Sequence, residues 1–181
     1  MKLNIDWLKA NHQMIHYFGL GFIQLKLDQT NRVHFYTSEL PPIVDDEDIH
    51  NHRYDFTSKI ISGKITNYLY SEVDGDTHFK EDESCKEGVK SETPPVNCGV
   101  LLTSMHTYVA GSEYFVDHNT FHRVSATDCV TWIVRSGYKK EFAQVIRPLN
   151  SVKVCPFGKK LPDDKLWEIV ESIIKHDKTS N

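Results

Sequence analysis

From Gly19 to Ile146 this chain is written in short alternating stretches rather than in the three-and-four spacing of amphipathic helices. Phe22-Ile23-Gln24-Leu25-Lys26-Leu27 is followed by the turn residues Asp28-Gln29-Thr30-Asn31, and Val33-His34-Phe35-Tyr36 returns, which reads as a hairpin. Phe56–Ile61 and Ile65–Tyr70 flank a further expected turn at Ser62-Gly63-Lys64. Strand character continues at Val100–Leu102, Thr107–Val109, Tyr114–Val116, His122–Ser125, Val130–Val134 and Phe142–Ile146. So many short strands with turn punctuation predict an all-β sandwich or barrel.

Two helices are expected to flank it. Residues 4–17 carry Ile5, Leu8, His12 and Ile15 near the helical period, with Asn4 or Asp6 as cap and Gly19 and Gly21 as stop. Near the other end, Asp163-Asp164 opens a stretch in which Leu166, Ile169, Val170, Ile173 and Ile174 form one apolar stripe. That stripe is expected to pack on the outside of the sheet with Trp167 at its edge. Residues 71–98 are rich in Glu, Asp, Lys, Ser and Pro and predict a long mobile insertion or an excursion at the rim of the sheet, in which Thr77-His78-Phe79 could form a strand.

The chain has 181 residues and a net charge of −4, so no basic excess favours a nucleic acid. No apolar run is long enough for a transmembrane helix, and Met1–Asp6 lacks the apolar core of a signal peptide. Cys85, Cys98, Cys129 and Cys155 show no CxxC spacing, which predicts a reducing, cytoplasmic setting.

Chemistry concentrates in two segments. Ile49-His50-Asn51-His52 places two imidazoles at i and i+2, on one face of a strand. Gly111 to His122 supplies a third after a strand–turn pattern. If His50, His52 and His122 converge, neutral imidazoles of this kind bind Fe, Ni, Cu and Zn. The plainer alternatives stay open at this point. His50 and His52 could be rim residues beside the acidic run Asp45–Asp48, and His122 a core histidine. His118 reads as a turn residue.

The spacing of these segments resembles the two motifs of the cupin superfamily. In the first, G-x5-HxH-x3/4-E-x6-G, His50, His52 and Gly63 match, while Phe56 stands at the glutamate position and Val44 at the leading glycine. In the second, G-x5-P-x-G-x2-H-x3-N, Gly111 and His122 match, while Asp117, Asn119 and Ala126 replace Pro, Gly and Asn. The likeness covers residues 20–147. Asp48–Phe56 with a later His122-Arg123 also resembles a group of bacterial or phage-borne cupin-like proteins of undefined activity.

The resemblance implies a double-stranded β-helix, or jelly-roll barrel, as one domain over 1–181. Its parts would be an N-terminal helix in 1–19, a barrel in 20–147 with the 71–98 insertion, and a C-terminal helix in 161–177. The ligand pattern is similar to that of the thiol dioxygenases, with His50, His52 and His122 holding a divalent metal, foremost Fe(II), with Zn, Ni or Mn as alternatives. That likeness casts Tyr70 and Arg123 as catalytic and Arg53, Tyr54, Tyr108 and Arg135 as contacts to a small anionic substrate. Asp55 could add a carboxylate ligand, although strand alternation puts it on the face opposite His52. A homodimer is expected, as are no membrane and no nucleic-acid partner. Two readings compete with the oxygenase: a metal-free barrel that binds or sequesters a nucleotide or sugar, and a sugar epimerase or isomerase.

Overall fold

In the computed structural model the described residues are 3–40, 49–84, 89, 91–151 and 160–179. The first helix, α1, is Ile5–Asn11, and the Asn4 side chain caps it by accepting from the Trp7 amide at 3.0 Å. It is shorter than the 4–17 expected. Met14–Phe18 forms a strand, β1, because Ile15 and Tyr17 alternate inward and the backbone pairs with β2 (Phe22–Lys26), Met14 to Lys26 through Phe18 to Phe22. Gly21 at φ 88° makes the hairpin turn between them rather than a helix stop. Here backbone pairing overrode a weak helical spacing.

The next hairpin agrees with expectation. Strand β2 pairs with β3 (Asn31–Tyr36), and the Asp28 carboxylate accepts from the amides of Thr30 and Asn31 at the turn. These bonds hold its pKa down to about 2. Then come β4 (Ile49–His50), β5 (Phe56–Glu83), β6 (Val96–Val109), β7 (Glu113–Val116), β8 (Phe121–Arg135), β9 (Ala143–Pro148) and α2 (Asp163–Thr179). All the pairings are antiparallel and join one nine-stranded sheet.

Two expectations need correction. Ser62-Gly63-Lys64 is no turn, since β5 runs through it with bulged register toward β8. Gly63 takes φ 72° opposite Asp128 at φ 49°, so two left-handed residues face each other across the ladder. Nor is 71–98 an insertion with at most one hidden strand. Residues 71–83 continue β5, His78–Lys80 pair with Cys98–Val96, and His78–Glu83 pair with Pro148–Ala143. Polar side chains on both faces hid this strand, because a solvated ribbon shows no alternation. Buried Arg147 fastens it, reaching Glu81 and, at 2.8 Å, Glu83. Residues 85–88 and 90 lie outside the described residues, as does Cys85. Cys98 and Cys129 are buried free thiols.

The hydrogen-bonded path returns on itself. The first half of β5 pairs with β8, β8 with β4, β4 with β9, and β9 with the far half of β5. One side of the sheet packs Ile15, Tyr17, Ile23, Leu25, Val33 and Phe35 against Leu8 of α1 and Leu166, Ile169, Val170 and Ile174 of α2. Each such burial contributes about 1.5–3 kcal/mol. Trp167 packs at the margin of this core, as expected. The opposite face gathers Phe22, Tyr36, Phe56, Ile60, Ile65, Tyr114, Val116, Cys129 and Ile133, and it carries the site described below. Among the described residues no helix is long and apolar enough to cross a membrane.

A Cβ on Gly63 would lie 2.3 Å from the Asp128 carbonyl oxygen and 2.9 Å from Cys129 Cα, besides being held at positive φ. Gly63→Ala is therefore expected to destabilise the fold by about 2 kcal/mol or more. Urea denaturation of the two proteins measures this, and an unchanged midpoint would contradict it.

Candidate metal centre

His50 sits on β4 directly across from His122 of β8. His52 follows two residues on, where the chain has left the strand but still faces the same space. The three ring centroids stand 4.9, 5.0 and 5.1 Å apart, and one ligand nitrogen from each ring falls within 4.8 Å of the others. The convergence expected of His50, His52 and His122 is present. His122 is also a buried, hydrogen-bonded core histidine, and the acidic run Asp45–Asp48 lies outside the described residues.

Burial decides the charge state. His122 is 3% exposed, and desolvation, then His50, holds its pKa well below 6.5. His52 is likewise held well below by burial first, then by His50, His122, Arg32 and His34. Both rings are neutral near pH 7, the form that binds metals. The tautomer is also set. His122 Nδ1 lies 2.9 Å from the Oδ1 of Asn67, itself 3% exposed, so Nδ1 donates and Nε2 keeps its lone pair.

That lone pair points at His52, whose Nε2 is 2.9 Å away. Either His52 donates a proton to His122, or both nitrogens face one cation. A separation of 2.9 Å is an ordinary hydrogen-bond length, and it also allows both nitrogens to face one ion. Phe56, at the motif's glutamate position, is 6% exposed and sets its ring 4.8 Å from His52 and 5.9 Å from His122. It is a wall of the site, and it brings no charge.

Asp55 takes no part in this centre. Its carboxylate accepts from the His118 amide at 2.9 Å and from His118 Nδ1 at 2.7 Å, and these bonds lower its pKa. Asp55, Asp117 and His118 thus form a separate cluster that ties the 117–119 turn to the 51–55 loop. His118 is a turn residue, as its sequence context suggests.

The residues expected around the metal divide into two groups. Tyr54 lies 5.5 Å from His52, ring to ring, with Arg135 over its face at 4.8 Å. Arg53 and Arg135 both cover the exposed Tyr138, at 4.4 and 4.7 Å. The other three are not brought to the histidines. Tyr70 pairs with Phe121, so alternation turns it to the face opposite His122, where it packs with Ile49, Cys98 and Ile146. Arg123 shares that face and lies 5.1 Å over Tyr68. Tyr108 stacks on Tyr114 at 4.5 Å, within the apolar core.

Sequence reasoning passed over Asn67, Arg32, His34 and Tyr138. Asn67 had a usable signal, being the lone amide among the inward positions Ile65, Asn67 and Leu69. Arg32 donates to Gln24 Oε1 at 3.2 Å and to the Tyr54 hydroxyl at 3.1 Å, and His34 Nε2 lies 3.1 Å from the same Gln24 oxygen. No family model matches the chain, and no curated protein matches it at a significant level.

Replacing Asn67 with Leu removes the partner that fixes the His122 tautomer, and metal affinity is expected to fall about 10- to 100-fold. Chelator competition reads this directly. A second expectation concerns acid. His34 stacks on Phe22 at 4.6 Å, and burial first, then Arg32 and His16, pushes its pKa down to about 3. The unfolded chain takes up this proton near pH 6.5 while the folded chain refuses it until about pH 3. Stability from His34 is therefore complete above about pH 6.5 and drains away as pH falls toward 3, by on the order of 1–2 kcal/mol at pH 5. Urea midpoints at pH 7 and pH 5 should diverge less in His34→Gln than in the parent, and equal divergence would refute the assignment.

Proposed function

We propose that this chain is a cupin-type jelly-roll barrel in which His50, His52 and His122 hold a divalent metal, Fe(II) foremost, for oxygenase chemistry on a small anionic substrate. The observation that carries the reading is the convergence of the three imidazoles, one ligand nitrogen from each within 4.8 Å of the others, with the Asn67 amide fixing which His122 nitrogen is free. The closed hydrogen-bonding path through β5, β8, β4 and β9 supports the barrel.

When bound, the ion would act as a Lewis acid with open positions for an anionic donor and dioxygen. The chain's own residues then have separable tasks. Asn67 orients His122, and Phe56 excludes water from one side of the imidazoles. Tyr54 flanks His52 and presents its hydroxyl toward Arg32. Among the described residues no carboxylate joins the three imidazoles, so with these ligands alone the full dipositive charge would remain to be met by a substrate that brings negative charge of its own. The arginines beside Tyr54 also suit the second reading, a metal-free site for an anionic small molecule.

Elemental analysis of freshly purified protein separates the two. Near-stoichiometric iron, or another first-row ion, is expected, together with loss of that metal in both His50→Ala and His122→Ala. Protein that is metal-free as isolated, and whose Tm ignores added Fe(II), Mn(II), Ni(II) and Zn(II), would overturn the metal reading.

A further inference from the structure

Arg135 is 7% exposed, and its Nε and Nη1 have no hydrogen-bond partner among the described residues. Buried Arg32 Nε is likewise without one. Arg135 does hydrogen-bond Tyr138, but buried guanidinium N–H groups left without an acceptor are costly and call for an explanation. The rings of Tyr54 and Tyr138 account for part of it. Arg135 lies over both, Arg32 lies 5.5 Å over Tyr54, and Arg53 lies over Tyr138. Three cations therefore share two phenol rings.

Among the described residues no ion pair is formed by Arg32, Arg53 or Arg135. The hydrogen bonds of Arg32 and Arg53 within the described residues end on neutral oxygens: the Gln24 amide, the Tyr54 hydroxyl and, at 3.4 Å, the Glu141 carbonyl. Asp55, their neighbour in the chain, is taken up by His118 and Lys139. The phenol of Tyr138 registers the same imbalance. Burial pushes its pKa up, yet Arg135, Arg53 and Arg32 together bring it below its ordinary value.

We propose that Arg32, Arg53 and Arg135, floored by Tyr54 and Tyr138, form a subsite for a phosphate-type dianion. One arginine fork satisfies both oxygens of a carboxylate, whereas three guanidiniums gathered on two phenol rings 6.1 Å apart suit the three terminal oxygens and double charge of a phosphoryl group. The Tyr54 ring separates this subsite from His52, so one small phosphorylated molecule could lay its dianion on the arginines and its reacting end at the histidines. Only that second half rests on the metal reading under Proposed function. The dianion subsite stands on the arginines alone.

Calorimetric titration of the full-length chain tests it, with inorganic phosphate, phenyl phosphate and acetate as probes at matched ionic strength. Saturable phosphate binding is expected, at least about tenfold tighter than acetate, with phenyl phosphate binding no more weakly than phosphate. Arg53→Gln and Arg32→Gln should each lose about tenfold or more in phosphate affinity. Lys165→Gln, which removes an exposed cation on α2, should bind as the parent does. Using the half-exposed Arg53 keeps the test valid if replacement of Arg135 prevents folding.

Phosphate that binds no better than acetate would overturn the subsite. So would parental affinity in both arginine variants, a loss in Lys165→Gln equal to theirs, or a phenyl phosphate affinity more than tenfold below that of phosphate. A chain that takes up no metal but binds phosphate through these arginines refutes the metal reading and leaves the subsite intact.

Discussion

Between Phe56 and Tyr70 the backbone of β5 hydrogen-bonds to β8, and this ladder holds the site in place. It sets Leu69 opposite His122 and, by alternation, puts Asn67 on the same face, within reach of the His122 ring. At its other end the same ladder sets Phe56 opposite Arg135. The candidate metal centre and the arginine cluster thus occupy two stretches of one pair of strands. A one-residue slip would turn His122 and Arg135 away together, which is why the bulges near Gly63 matter so much. They absorb the irregularity midway and leave the register regular on both sides.

Much of this was legible beforehand, and the reasons differ from residue to residue. The β2–β3 hairpin announced itself through Asp28 and its neighbours because turn chemistry is local. The α2 stripe was equally plain, since an exposed helix packed on one side must carry its apolar residues at helical spacing. His50, His52 and His122 were readable from spacing alone, although their meeting depends on β4 pairing with β8, some seventy residues apart in sequence. The β1 strand was not readable, because Ile15 and Tyr17 fit two periods at once and only the partner strand decides between them. The second half of β5 was hidden by composition. A ribbon solvated on both faces, with Glu81 and Glu83 serving a buried Arg147, looks like a loop when its partners are unseen.

The site residues passed over share one physical trait. Asn67, Arg32, His34 and Tyr138 act through side-chain partners distant in sequence, and no motif encodes such partnerships. Tyr70, Arg123 and Tyr108 fail in the opposite way. Each is the right residue type near the right segment, but strand parity for the first two and stacking within the apolar core for the third carry them elsewhere. Parity could have been read for Tyr70 only with the β5–β8 register in hand.

The Asn67–His122 hydrogen bond has a further consequence. Imidazole ligands are commonly oriented by a carboxylate, which lends electron density to the ring and offsets some of the ion's charge. An amide does the orienting without either effect. With Phe56 as the adjoining wall, neither Asn67 nor Phe56 brings charge to His122, while the Arg32 guanidinium adds positive potential at His52. A cation lodged there would be poorly compensated on its own, and an anion entering alongside would relieve both the ion and the arginines. Occupancy by metal and by anion should therefore reinforce one another, each raising the other's affinity by the same factor.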